Sequence, residues 1–143
     1  MTSPAELHYR RAVEADFVHI NDFLDPMVQQ QQLLPRTDAE LTKLLELAFV
    51  AMDGERVVGF CAVEIYSRKL AEIQGLAVAT SHQRQGIGSR LVELCVELAR
   101  KENVHELMAI TASEGLFQEC GFQYALPNQK RALFIHPAPR EEG

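Results

Sequence analysis

AEIQGLAVATSHQRQGIGSRLVELCVELARK, residues 71–101, decides the fold. Its first part sets Glu72 and Gln74 among apolar neighbours and reads as a strand from Lys69 to Ala79, with Gly75 at the middle, where a bulge or a close backbone approach fits. Its last part carries Ile87, Leu91, Leu94, Cys95, Leu98 and Ala99 at helical steps, with Arg90, Glu93, Glu97, Arg100 and Lys101 opposite. That is an amphipathic helix. Between the two, Gly86 and Gly88 open the helix after a polar run from Ser81 to Gln85.

Towards the N-terminus, VVGFCAVEIY and LAFVAM flank Asp53, Gly54, Glu55 and Arg56, a hairpin signal, and Val57 to Ile65 is apolar on both faces, as a central strand requires. Thr37 opens TDAE, a capping box in which the Thr hydroxyl accepts a backbone N–H and Glu40 reaches back to the Thr37 amide. It starts a helix with Leu41, Leu44, Leu45 and Ala48 on its apolar side. Leu7 to Val13 reads as the first strand. Glu14 to Leu24, with Phe17, Ile20, Phe23 and Leu24 at helical spacing, reads as the first helix, which Pro26 is expected to break or restart. The glutamines Gln29 to Gln32 read as a helix end.

Beyond residue 101 the pattern predicts a strand over His105 to Ile110 and a short helix over Ser113 to Glu119 with Gly121 as its C-terminal cap. Two further strands are expected at Phe122 to Tyr124 and Arg131 to His136. Hairpins demand antiparallel pairs and the late helical crossovers demand parallel ones, so the fold class is α/β, with a mixed sheet flanked by helices.

The chain has 143 residues, 47% hydrophobic and 24% charged, which suits one domain with one core, residues 137–143 being expected as a tail. A net charge of −6 argues against nucleic acid as a partner. No stretch has the apolar length of a membrane span and MTSPAELHYRR lacks a signal-peptide core, so a cytoplasmic protein with no membrane partner is expected. Cys61, Cys95 and Cys120 read as reduced, buried thiols, and the scattered histidines imply no metal.

The loop Ser81 to Arg90 carries the chemistry. A strand, a Gly-containing turn and a helix start together present free backbone N–H groups and the positive end of a helix dipole, an anion cradle to which Arg84 and Arg90 add charge. Two glycines before a helix also suit an ordinary helix start. A P-loop is excluded because no Gly-Lys-Ser or Gly-Lys-Thr follows, and the dinucleotide fingerprint is incomplete because Leu91 fills its third small position.

QRQGIG, Gln83 to Gly88, resembles the pyrophosphate-binding Q/R-x-x-G-x-G/A motif of the GNAT superfamily of acyl-CoA-dependent N-acyltransferases. AEIQGLAVA resembles that family's fourth strand, the amphipathic helix its third helix, and LFQECGF, Leu116 to Phe122, its late helix-Gly-Phe signature. A narrower resemblance, through LLPRTDAEL (Leu33 to Leu41) and the LP-x-x-K-x-x-LF pattern ending at Phe134, is to the acetyltransferase domain of N-acetylglutamate synthases.

The resemblance implies a GNAT-like, mainly antiparallel sheet and transfer of an acetyl group from acetyl-CoA directly to a primary amine of a small molecule. It implies cofactor binding by Leu76, Ala77 and Val78 on the strand and by Gln83, Arg84, Gln85, Gly86, Ile87, Gly88 and Ser89 in the loop. Glu72 matches the glutamate that removes the ammonium proton, and burial would raise its pKa toward a useful value. Arg36 matches an acceptor-binding arginine, which makes glutamate a candidate acceptor; a helix-start arginine facing solvent is the alternative reading. Gly75 stands where the synthases carry a cysteine, and no arginine occupies His136 to Ala138.

Many family members protonate the departing thiolate with a tyrosine four residues before the Gly of the Gly-Phe pair. That position is Phe117, which leaves a hydroxyl such as Thr111 or Ser113, or solvent. His82 is expected to face solvent, and Tyr66 and Tyr124 either pack in the core or line the acceptor pocket. Two other functions stay open beside the primary one: a catalytically weak acyl-CoA-binding regulatory module, and acetylation of proteins or peptides. A homodimer is also left open.

Overall fold

The structure, a computed structural model, describes residues 7–126, 133–135 and 137. Five strands form one sheet in the order β1-β2-β3-β4-β5: β1 (Leu7–Arg11), β2 (Ala48–Asp53), β3 (Arg56–Ile65), β4 (Leu70–Val78) and β5 (Glu106–Met108). The first three pairings are antiparallel and β4 pairs with β5 in parallel, through the crossover helix α3 (Ile87–Lys101). Helices α1 (Phe17–Gln29) and α2 (Asp38–Leu45) cover one face, and α3 with α4 (Glu114–Glu119) covers the other.

Each face has its own apolar cluster. Ile20, Leu24, Leu41, Leu44 and Leu45 pack on Val50, Phe60 and Ala62, while Leu91, Val92, Cys95 and Leu98 of α3 pack on Val58, Cys61 and Val63. Burying each of the larger aliphatic side chains contributes about 1.5–3 kcal/mol. The parity of β3 explains its double-sided apolarity: Phe60 and Ala62 serve one cluster, Cys61 and Val63 the other.

The capping box forms as expected, with Glu40 N–H donating to Thr37 Oγ1 at 3.1 Å and Thr37 N–H donating to Glu40 Oε1 at 2.8 Å. The β2–β3 hairpin turns over Gly54 and Glu55, with Asp53 opposite Arg56. Gly121 ends α4: its own N–H reaches Gln118 C=O at 3.0 Å and Phe122 N–H reaches Phe117 C=O at 3.0 Å. The Phe117 and Phe122 rings meet edge to face at 5.2 Å, the apolar contact that accompanies such an ending.

Several expectations are corrected. Cys61 and Cys95 are buried as expected, but Cys120, at the end of α4, is only half-buried. Pro26 does not break the first helix; it lies inside α1, which runs to Gln29. Pro26 and Asp22 are both exposed, so the Asp22 carbonyl that loses an N–H partner is left to water rather than orphaned in the core. The helix stops where the glutamines lie: Gln31 takes a φ of +60° and Gln32 N–H closes on Met27 C=O at 2.9 Å. Glu14–Asp16 is a single 3-10 turn ahead of α1, and Ala48 begins β2 instead of ending α2. Phe122 to Tyr124 forms no strand, because Phe122 is drawn into the α4 cap. Of the strand expected over Arg131 to His136, residues 131, 132 and 136 lie outside the described residues, and 133–135 are not in a strand.

One ion pair fastens the entry to α1. Arg10 donates from both terminal nitrogens to Asp16, each at 2.8 Å, and Val13 N–H adds a third bond at 2.8 Å to Asp16 Oδ2. The Arg10 hydrogen bonds hold the Asp16 carboxyl below its ordinary value. A carboxyl with a lowered folded pKa stabilises above its unfolded value near 3.9, and the gain is lost as pH falls through the folded value. Asp16→Asn is therefore expected to cost about 1–2 kcal/mol at pH 7, discounted from a buried pair because Arg10 is half-exposed. The difference from wild type shrinks below about pH 3, as urea denaturation at both pH values will show.

Candidate active site

The bulge in β4 builds the site. Ala62 faces Gln74 and Phe60 faces Ala77, so Cys61 stands against two residues, Gly75 and Leu76. Gly75 takes a φ of +68°, a conformation that favours glycine. The extra residue switches the strand's parity: Ala71 and Ile73 pack on the α3 side before the bulge, and Leu76 and Val78 do so after it, with Ala77 turned to the α1–α2 side. Before the bulge, Glu72 and Gln74 therefore face the α1–α2 side.

Pairing with β5 covers Leu70 to Glu72 only, ending at Glu72 opposite Met108. On the other edge, Ala79 N–H donates to Val58 C=O at 2.8 Å and Val78 faces Gly59, an alternation that turns the N–H and C=O of Val78 away from β3. Beyond Glu72 the strand thus presents backbone groups on an edge that β5 does not pair. Thr111 and Ser113 follow β5; Ser113 N–H donates to Thr111 Oγ1 at 2.8 Å, so the Thr111 oxygen holds a turn ahead of α4.

That unpaired edge runs into the loop. Thr80–His82 makes a 3-10 turn, and Arg84 and Gly86 both take left-handed backbone, at φ +63° and +81°. Among the described residues, the other two non-glycine residues with positive φ, Gln31 and Asn103, end helices; Arg84 has no such duty and belongs to a strained loop. Gly86 is the N-cap of α3, and the first N–H groups of the helix, those of Ile87, Gly88 and Ser89, have no earlier turn to donate to. Gly88 is small for a packing reason, since a Cβ there would sit 2.9 Å from Leu116 Cδ1. Ile87 is buried in the core, so only its backbone faces the loop. Gln83, Arg84 and Arg90 are exposed, and Gln85 Oε1 is buried without a hydrogen-bond partner.

His82 is a correction: it is buried, not solvent-facing. Its Nε2 lies 2.9 Å from Asp53 Oδ2 and its Nδ1 lies 2.7 Å from Ser81 Oγ, so it ties the loop to the β2–β3 hairpin.

On the α1–α2 side, Arg36 reaches over from the segment before α2. It donates to Gln74 Oε1 at 2.7 Å and to Leu34 C=O at 3.2 Å, and Nη1 lies 3.8 Å from the place a Cβ on Gly75 would take. Burial lowers its pKa, against the opposing pull of Glu64, Glu40 and Glu72. Tyr66, 52% exposed and so not a core residue, donates its hydroxyl to Glu72 Oε1 at 2.6 Å. Burial and then the bond to Glu72 raise the phenol pKa, and the charges of Glu72 and Glu64 and a hydrogen bond to Glu64 add to the rise. Glu72 itself is half-buried, so hydrogen bonding rather than enclosure defines its surroundings. The structure therefore brings Glu72 and Arg36 together, and adds Tyr66, Gln74 and Glu64. Tyr124 is elsewhere, donating to Glu114.

Residues 14–122 match the acetyltransferase (GNAT) family, and the chain belongs to it. It is an acyl-CoA-dependent N-acetyltransferase of the GNAT type. An uncharacterized N-acetyltransferase of Chlorobaculum tepidum is 31% identical over 119 residues, 83% of this chain and 77% of its own length. An amino-acid acetyltransferase of Neisseria meningitidis is 31% identical over 85% of this chain, which spans only 29% of that protein. Among solved structures, the N-acetylglutamate synthase of Neisseria gonorrhoeae complexed with coenzyme A and N-acetyl-glutamate superposes with a TM-score of 0.75 at 27% identity, covering 87% of this chain and 30% of the synthase. Rv2747 of Mycobacterium tuberculosis, in complex with CoA and NLQ, shares the fold at a TM-score of 0.75 and 24% identity, over 87% of this chain and 76% of that one. No helix among the described residues is long and apolar enough to cross a membrane.

Proposed function

We propose that this chain acetylates the amino group of a small molecule that also carries a carboxylate, with glutamate the candidate acceptor. The observation that carries the reading is the placement of the Arg36 guanidinium beside Gly75 on the face that bears Glu72. Gly75 in place of a cysteine leaves room next to Nη1, and the donors Arg36 does not spend on Gln74 and Leu34 suit a carboxylate fork. The partial likeness to amino-acid acetyltransferases and to a synthase complexed with N-acetyl-glutamate supports the same choice.

The residues present fit an acyl-CoA. The backbone N–H groups of Ile87, Gly88 and Ser89 and the left-handed turn through Arg84, Gln85 and Gly86 suit a pyrophosphate, with Gln83 at the loop's entrance. Leu76, Ala77 and Val78 offer backbone on the edge that β5 leaves unpaired, and the outward N–H of Val78 suits an amide or thioester oxygen. When bound, the acyl-CoA supplies the activated acetyl group. Glu72 takes the proton of the acceptor ammonium, directly or through water, and Arg36 orients the amine by its carboxylate. Phe117 is buried and has no proton to give, so proton return to the thiolate falls to the Thr111 hydroxyl or to solvent.

The test is thiol release from acetyl-CoA against free amino acids, polyamines and short peptides, with cofactor binding measured in parallel. Saturable release with an acidic amino acid is expected, and Arg36→Ala raises the KM for that acceptor about 10–100-fold while leaving the KM for acetyl-CoA within twofold. Release only with polyamines or peptides overturns the carboxylate reading, and tight cofactor binding without release from any amine favours a regulatory module.

A further inference from the structure

We propose that Tyr66 is a positioning residue for the Glu72 carboxylate, its hydroxyl aimed by a hydrogen-bond chain that begins at Arg36. The inference rests on the reading of Glu72 as the base. Its ground is the order in which donor follows donor from Arg36 to Glu72. A guanidinium has donors and no acceptor, so Arg36 Nη2 must donate to Gln74 Oε1, 2.7 Å away. With its oxygen so engaged, the Gln74 amide turns Nε2 towards Tyr66, whose hydroxyl oxygen it reaches at 3.4 Å. Tyr66 then has its single proton left to donate, and Glu72 Oε1 receives it at 2.6 Å.

The arrangement answers a conflict in the sheet. Glu64 and Glu72 stand directly opposite each other on β3 and β4, a cross-strand pair of like charges that disfavours itself. Tyr66 lies two residues after Glu64, on the same side, and its backbone is fixed by a tight turn: Tyr66 N–H and Ser67 N–H both donate to Leu70 C=O, at 3.0 and 3.2 Å. The charged groups about Glu72 are Glu64 from β3 and Arg36 from the segment before α2, with Glu40 of α2 acting on Arg36. From β5, the residue paired with Glu72 is the uncharged Met108. With Oε1 held by Tyr66, Oε2 is the oxygen left to receive the acceptor ammonium.

The experiment is steady-state thiol release by the full chain in wild type, Tyr66→Phe, Gln74→Met, Glu72→Gln and the double variant Tyr66→Phe/Glu72→Gln, with calorimetric titration of coenzyme A beside it. In Tyr66→Phe kcat falls about 3–10-fold with the KM for acetyl-CoA unchanged. Gln74→Met lowers kcat the same way by less, and in the Glu72→Gln background Tyr66→Phe costs nothing further, because its effect passes through that carboxylate. Tyr66 is an exposed side chain losing one oxygen, so the variant folds. An unchanged kcat in Tyr66→Phe overturns the proposal, as does an equal loss from Tyr66→Phe with and without the Glu72 carboxylate. Full turnover in Glu72→Gln brings down the base assignment instead, and the single and double variants tell the two failures apart.

Discussion

Replacing Glu72 by Gln lowers kcat about 10²–10³-fold and leaves acetyl-CoA affinity within twofold, the loss a positioned general base accounts for. The amide keeps the shape of the side chain and still accepts the Tyr66 hydroxyl, but it has no lone pair basic enough for an ammonium proton. The fold is not at risk: Glu72 is half-buried on the strand, and removing its charge relieves the like-charge pair with Glu64. The variant is expected to be as stable as wild type or a few tenths of a kcal/mol more so. Calorimetric titration of coenzyme A and a urea melt, run beside the kinetics, separate lost chemistry from lost binding or lost fold. Retention of more than a tenth of wild-type kcat would falsify the base assignment. In that event an ordered water or the acceptor's own deprotonated form does the work.

The parts of the site that sequence made legible are the parts built from neighbours in the chain. The capping box joins residues three apart, the amphipathic rhythm of α3 repeats every turn, and Gly75 and Gly86 announce a bulge and a helix entry because other residues seldom take those backbone angles. Pro26 was misleading because its cost depends on whether the freed Asp22 carbonyl meets water or core, which is a fact of tertiary placement. Phe122 to Tyr124 has strand-like composition, yet Phe122 is held by the Phe117 ring and carbonyl, a helix-end contact that outcompetes pairing. His82 reads as a loop residue until Asp53, from a hairpin 29 residues earlier, takes its Nε2. The same holds for the Arg36–Gln74 bond across 38 residues: the arginine was visible as a candidate, its partner was not. Tyr66 and Glu72 were closer to legible, since a hairpin with strand ends at Ile65 and Leu70 brings them together, but only the parity of β3 and β4 shows that they share a face.

Gly86→Val is expected to raise the KM for acetyl-CoA about 10–100-fold with kcat at saturation largely kept. The backbone there stands at φ +81°, ψ +7°, where an ordinary side chain costs about 1–2 kcal/mol and a β-branched one is a rarer outlier still. A Cβ on Gly86 meets nothing within 4 Å, so no clash with the core forces the cost to be borne in place. The loop instead relaxes towards a permitted conformation, and that rotation carries the N–H groups at the start of α3 off the position where they converge. Catalytic groups on β4 lie upstream of the turn and keep their geometry, which is why the loss falls on binding. Gly88→Val makes the contrast. Its Cβ would strike Leu116 at 2.9 Å, prising α4 from α3, so that variant is expected to lose stability as well, by about 1–3 kcal/mol. If Gly86→Val binds coenzyme A as wild type does, the left-handed turn is only a helix start and the pyrophosphate has another seat. A weakened affinity in a chain that melts near the wild-type temperature ties the left-handed backbone at Gly86 to the cofactor.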